Sequence, residues 1–303
     1  MKLGVVFPQT EIGDDPGVIR AYAQGVEAAG FDFLSAYDHV LGHRPADPKQ
    51  WSELGPYTDA HAFHEVFVLF AYLAALTTRL ELVTEVLVLP IRQTVLVAKQ
   101  AAEIDLLSGG RLRLGIGVGW NPEESRAMGM SFRERGRRVV EQVELLRRLW
   151  QEDVVTMRGQ FHDVAQGGIR PRRRGASIPI WIGGAAPVVL QRAASIADGF
   201  MLEHPLEEAP GIIEEINRLR RDRHRESQPF GFAARVHLRE DAIDWAVDTA
   251  RAWRDIGVTH LAVETMDEGL IDPERHLGLA AAFIDAWNSA PRPGPLNRNL
   301  DKR

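Results

Sequence analysis

Two hydrophobic periods alternate along the chain. Short runs rich in Val, Ile, Leu and Phe occupy residues 2–7, 31–37, 80–89, 111–119, 179–183, 199–203, 230–238 and 259–264. Several of these, residues 80–89 above all, are nearly continuous apolar runs, the pattern of strands buried on both faces of a parallel sheet. Between them, residues 16–29, 64–77, 94–107, 132–151, 187–197, 207–225, 242–256 and 273–288 carry helical patterns. In the third of these, Val97, Ala101, Ile104 and Leu107 share one stripe, and Ser108-Gly109-Gly110 supplies a left-handed stop. Eight strands alternating with eight helices predict a (β/α)8 TIM barrel spanning residues 1–290 as a single domain. A doubly wound sheet would carry a glycine-rich turn after its first strand, and Phe7-Pro8-Gln9-Thr10 is not one.

Two connections are longer than plain loops. Residues 41–63, after the second strand, carry Pro45, Pro48, Gly55 and Pro56 with Trp51 and Tyr57. That segment reads either as a lid over an apolar pocket or as a loop that its aromatic residues anchor. Residues 153–178, before the fifth strand, contain segments 154–157 and 160–164 around Arg158-Gly159, which predicts a small hairpin. Ser131 and Glu134 have capping-box spacing at the head of a long helix. The proline-rich tail over residues 291–303 is expected to be disordered.

Composition narrows the function. The 303 residues are 45% hydrophobic and 26% charged, ordinary for a globular protein with a sizeable core. A net charge of −6 argues against a nucleic-acid partner. No apolar run approaches the roughly 18 residues of a membrane span, and the first residues begin a strand without a signal-peptide pattern. With 0 cysteines there is no disulfide, thiolate metal site or cysteine nucleophile, which is compatible with the cytoplasm.

In a barrel, chemistry sits at the carboxyl ends of the strands. The fourth strand places Leu112, Leu114, Ile116 and Val118 on one face and Gly115, Gly117 and Gly119 on the other. Glycines at that period weaken a strand, so either a ligand or a tightly packed helix should fill the space they leave. Asp38-His39 follows the second strand, and a histidine there either exchanges a proton near neutral pH or caps the strand end. Thr84-Glu85-Val86 interrupts the third strand with a carboxylate that needs a polar cavity or a bulge. Gly183-Gly184-Ala185 opens a helix with no side chains in the way, as a tight turn or a phosphate-binding turn would. Glu203-His204, Arg235, His237 and Glu264 end later strands and either line the mouth or serve as caps and core ion pairs. The His39, His43, His61 and His64 set lacks metal-ligand spacing, so no metal is expected. Arg170, Arg172, Arg173 and Arg174 form a solvated face or attract an acidic cofactor tail.

The segment from Thr84 through Asn121, TEVLVLPIRQTVLVAKQAAEIDLLSGGRLRLGIGVGWN, with FRERGRR and PIWIGGAAPVVLQRAASIADGF further on, resembles the luciferase-like flavin and deazaflavin oxidoreductases. Within them it is most similar to the coenzyme-F420-dependent subgroup. The resemblance runs from Gly4 to about Phe200 and implies a dimeric barrel with a flavin or deazaflavin ring in its mouth. It implies that Asp38 and His39 hold the ring and assist proton transfer. Thr84, Glu85 and Val86 would form a bulge behind the ring with a non-prolyl cis peptide between Glu85 and Val86. Gly117, Gly119 and Asn121 would lie beside the ring and ribityl chain, and Gly183, Gly184 and Ala185 at the phosphate. Independently of the resemblance, Trp120 and Trp51 with Tyr57 and the proline-rich loop are expected to line the pocket of a small-molecule substrate. Two positions depart from the family pattern. Glu85 stands where a small residue is usual. Trp120 replaces the acidic catalytic residue of the sugar-phosphate dehydrogenases, which disfavours that substrate class. The resemblance implies F420 as cofactor, with FMN and oxygen chemistry, or a non-catalytic carrier, as the alternatives.

Overall fold

Lys2 of the first strand pairs with His260 of the last, and that contact closes the sheet. In the computed structural model, which describes residues 1–44, 57–173, 177–270 and 272–289, the strands β1 (Lys2–Val6), β2 (Phe33–Ala36), β3 (Glu81–Val88) and β4 (Leu112–Gly117) run parallel and adjacent. Two short antiparallel strands, β5 (Val155–Arg158) and β6 (Asp163–Gly167), stand outside the barrel. The barrel then continues through β7 (Ile180–Gly183), β8 (Gly199–Met201), β9 (Gly231–His237) and β10 (His260–Glu264) back to β1. The (β/α)8 expectation is met.

Helices wrap the outside: α1 (Pro16–Ala29), α2 (Val66–Leu76), α3 (Thr94–Leu107), α4 (Pro122–Ala127), α5 (Arg135–Gln151), α6 (Pro187–Ile196), α7 (Ala209–Arg221), α8 (Ile243–Asp255) and α9 (Pro273–Ser289). Their local logic is visible in α1. Asp15 accepts from the Gly17 and Val18 N–H groups, Pro16 fits the first turn, and Gly30 ends the helix at φ 102. Apolar side chains between strands and helices, among them Leu34, Leu82, Leu114, Val97 and Leu146, form the main core. A second cluster of Val6, Phe33, Val83, Trp181, Met201 and Ala262 fills the barrel interior. The amino-terminal end is plugged by Arg113, whose guanidinium lies 4.6 Å from the Trp181 ring centroid and pairs with Glu81. Side chains thus fill that end of the barrel among the described residues.

Several local expectations need correction. The Ser131–Glu134 capping box does not form: residues Phe132–Glu134 make a 3-10 turn, and Ser131 caps nothing with its side chain. The pattern missed α4, which is too short to show a stripe. The hairpin exists, but its second strand lies three residues later than expected, because Glu141 of α5 accepts from the Gln160 and Phe161 N–H groups and fixes them as the turn. Arg170 and Arg172 each meet Asp153 at 2.8 Å, and Arg173 reaches Asp105 at 3.3 Å. These three arginines therefore tie the segment after the hairpin to the barrel. Arg174, Trp51 and the tail over 291–303 lie outside the described residues. Among the described residues no helix is long and apolar enough to cross a membrane.

Candidate active site

The glycine face of β4 is filled by β3. A Cβ at Gly115 would collide with the Thr84 carbonyl oxygen, one at Gly117 with Val86, and one at Gly119 with Val88. Val86 also stands 3.0 Å from where a Gly183 Cβ would lie. The space that sequence reasoning gave to a ligand or a helix is thus taken by the neighbouring strand. What brings β3 so close is a register shift between Thr84 and Leu87, with a cis peptide between Glu85 and Val86. Thr84 is fully buried and donates from Oγ1 to the Gly115 carbonyl at 2.7 Å, which ties the bulge to β4.

In front of Val86 lies a cavity of about 520 Å³ lined by Asp38, His39, Glu85, Val86, Gly117, Gly119, Trp120, Gly183 and Gly184, with Glu203 after β8, Arg235 of β9, Glu264 at the end of β10 and Asp267 beyond it. A larger surface groove of about 710 Å³, between α3, Arg138 of α5 and the hairpin, lies away from the strand ends and gathers no comparable set of groups. Asp38 is turned to a structural task. Its Oδ2 accepts from the Val88 N–H at 2.9 Å and its Oδ1 from Arg92 at 2.6 Å, so it bolts the end of β2 to the end of β3. Arg92 in turn donates to Glu65 at 2.8 Å.

His39 is held on one side only. Its Nδ1 lies 3.3 Å from Glu124 Oε2, while Glu124 Oε1 accepts from the Val40 N–H at 2.6 Å. Burial opposes the charge on Glu124, but His39 and the Val40 and Leu41 N–H groups outweigh it and hold the carboxyl below the usual carboxylate range. Nε2 of His39 has no hydrogen-bond partner among the described residues. Phe63, Trp120 and Tyr57 pack against the imidazole at centroid distances of 4.9, 5.4 and 5.6 Å. The ring is fixed in place with one nitrogen left over for chemistry.

The far wall carries a polar cluster. Tyr37 donates to Glu264 Oε1 at 2.7 Å, and Arg235 donates to Tyr37 Oη at 3.0 Å and to Glu203 Oε2 at 2.8 Å. Glu85 Oε1 lies 3.8 Å from Arg235 Nε. Burial pushes the Glu85 carboxyl up to about 7 against the pull of Arg235.

The luciferase-like monooxygenase family pattern matches residues 1–291. The chain belongs to that family. An uncharacterized protein of Mycobacterium tuberculosis (strain ATCC 25618 / H37Rv) is 36% identical over 80% of this chain and 82% of its own length. An F420-dependent glucose-6-phosphate dehydrogenase of Kineococcus radiotolerans is 31% identical over 61% of this chain and 52% of its own. An FMNH(2)-dependent dimethylsulfone monooxygenase of Pseudomonas fluorescens is 30% identical over 65% and 51%. Among solved structures, the monooxygenase RslO1 from Streptomyces bottropensis superimposes with a TM-score of 0.76 at 20% identity, covering 94% of this chain and 98% of that one. The fold is shared, and the chain is a luciferase-like oxidoreductase.

Not every expected residue of this family member lines the cavity. Asn121 is buried and its Oδ1 accepts from the Glu123 and Glu124 N–H groups, capping α4. It acts on the site through Glu124, which the cap positions. Ala185 is exposed on the turn before α6, and Trp51 lies outside the described residues. Tyr57, at the end of the long connection after β2, packs on the His39 cluster. Sequence reasoning missed Tyr37, Arg92, Glu124 and Asp267. Glu124 had one usable signal, an acidic residue in the first turn of a helix that begins at a strand's carboxyl end.

Proposed function

We propose that this luciferase-like enzyme uses the deazaflavin coenzyme F420 to move hydride to or from a small organic substrate. The observation that carries the reading is His39, fixed through Nδ1 by a buried carboxylate and unpartnered at Nε2, beside a cavity whose back is Val86. The cavity suits a flat heteroaromatic ring: an apolar wall behind it, glycines at 117, 119, 183 and 184 around it, and a turn at 183–185 with no side chain larger than a methyl for a phosphate. When bound, the deazaflavin supplies the hydride chemistry. The protein's part is positional and acid–base. Val86 supports the ring, and Gly183, Gly184 and Ala185 receive the phosphate. Asp38, paired with Arg92, fixes the strand end from which His39 projects, and Nε2 of His39 gives or takes the proton that accompanies hydride transfer. Trp120 bounds the substrate side with Tyr57. The same reading carries a homodimer in the cytoplasm.

FMN chemistry with oxygen is the second reading, supported by the similarity to the FMNH(2)-dependent relative at nearly the same identity as the F420-dependent one. Equilibrium titration of both cofactors decides between them. F420 binding at least about tenfold more tightly than FMN is the expected result, and FMN binding as well or better would overturn the proposal. A chain that binds F420 but reduces no acceptor and oxidises no donor would be a carrier.

A further inference from the structure

The carboxylates of the far wall outnumber its cations. Glu85, Glu203, Glu264 and Asp267 line the cavity, and Arg235 is the one lysine or arginine among the described lining residues. Asp38 adds nothing to this imbalance, since Arg92 neutralises it. Arg235 is itself engaged by Glu203 and Tyr37. Tyr37 stays neutral, because burial raises its phenol well above the ordinary range, so its hydroxyl donates to Glu264.

Glu85 is different from the other three. Its side chain is only 6% exposed, it lines the cavity, and apart from the Ser35 hydroxyl no hydrogen-bond donor reaches its carboxylate among the described residues. Its nearest cationic atom, Arg235 Nε, is at 3.8 Å, beyond hydrogen-bond range. A buried carboxylate left in that state is costly unless a ligand donates to it. Around the same cavity stand the rings of Tyr37, Tyr57 and Trp120, whose faces attract cations and repel anions.

We infer that the substrate of this enzyme carries a protonated nitrogen, and that Glu85 receives it between the aromatic walls. The inference rests on the active-site assignment above and adds the chemical class of the substrate. An anionic substrate would face four carboxylates, with the one arginine already engaged. A neutral alcohol would satisfy Glu85 by a hydrogen bond but gain nothing from the charge imbalance. An ammonium gains from both.

The test uses benzylamine, benzyl alcohol and benzoate as probes of one shape and three charges. F420 binding to the full chain is measured first, and the probes are then titrated by ligand-observed NMR with and without F420. A chain that fails to take F420 sinks the cofactor assignment, while the probe series without F420 still reads the charge preference. The ammonium probe should bind at least about tenfold more tightly than the alcohol, with benzoate weakest. In Glu85→Gln the amine-to-alcohol ratio should collapse to within about threefold, and using a ratio cancels any general loosening of the pocket. The wild type provides a second reading if that variant does not fold. Glu85 is faced by Ser35 and Tyr37 of β2, Glu203 after β8, Arg235 of β9 and Glu264 of β10. Burial pushes its carboxyl up to about 7, so the ammonium preference should grow several-fold between about pH 6 and about pH 8. Benzoate binding as tightly as benzylamine, a ratio unchanged in Glu85→Gln, or a preference flat with pH would each overturn the inference.

Discussion

Glu124 Oε2 lies 3.3 Å from Nδ1 of His39, and the two residues come from different parts of the barrel rim. His39 follows β2, whereas Glu124 sits in the first turn of α4, after β4. Asn121 sets the link, because its cap on the Glu123 and Glu124 N–H groups starts the helix that aims the carboxylate. Glu124 is 1% exposed, so its charge acts on the imidazole with little solvent screening.

Replacing Glu124 by Gln keeps a side chain that can accept from the Val40 N–H but removes the negative charge. In steady-state assays kcat should fall about tenfold or more, with KM within about threefold and the melting temperature little changed. A matching loss in KM, or a collapse of stability, would make Glu124 a packing residue only.

The barrel itself was legible because its eight strand runs are largely buried and alternate with longer helical segments that pack apolar residues against them. The strand-end pair Asp38-His39, the bulge at Thr84-Glu85-Val86 and the Gly183-Gly184 turn were legible as local anomalies: a polar pair, a buried charge and a glycine pair where apolar residues should continue. What stayed hidden depends on distance in space rather than in sequence. Asp38 lines the cavity as expected of its place after β2, but its pairing with Arg92, 54 residues later, shows only in space. Asn121 reads as a binding residue until α4 appears, and α4 is too short for periodicity to reveal. The glycine ladder reads as ligand space because the approach of β3 follows from its register shift, which no pattern of side chains announces.

That approach makes Gly115 the least replaceable position of β4. A Cβ there would meet the Thr84 backbone oxygen and the Met201 side chain, and backbone cannot swing aside. Gly115→Ala should lower stability by about 1–3 kcal/mol in urea unfolding and loosen the bulge. Gly211→Ala, where a Cβ meets nothing within 4 Å in α7, should be neutral or stabilising by comparison. Equal effects from the two substitutions would mean that β3 does not press on β4.

Glu85 should make the free enzyme less stable as pH rises. Its carboxyl is pushed from 4.5 up to about 7 in the folded chain, so between those values the unfolded chain loses its proton first. Stability from this group is therefore full below about pH 4.5, declines through the window and levels off above about pH 7, a loss on the order of 3 kcal/mol. Glu85→Gln lacks the titrating group. Measured against wild type, its unfolding free energy should improve between about pH 5 and about pH 8, and a difference independent of pH would rule out a buried, proton-holding Glu85.

The turn proposed to hold the phosphate gives the sharpest separation of binding from folding. Gly184 has φ +137, so a side chain there strains the backbone, and a loss of cofactor affinity in Gly184→Asp would be ambiguous. Ala185 is exposed, has no such φ, and its N–H makes no hydrogen bond among the described residues. Ala186, at the cap of α6, leaves the helix start without a side-chain partner. A carboxylate at position 185 lies beside a helix amino terminus, where negative charge favours the fold by about 0.3–1 kcal/mol. The same charge opposes a phosphate held by the neighbouring N–H groups. Ala185→Asp should therefore keep or slightly raise the melting temperature while weakening F420 by at least about tenfold, and the loss should shrink with added salt. Affinity equal to wild type in this folded variant would move the phosphate to another strand end, and with it the orientation of the ring in the cavity.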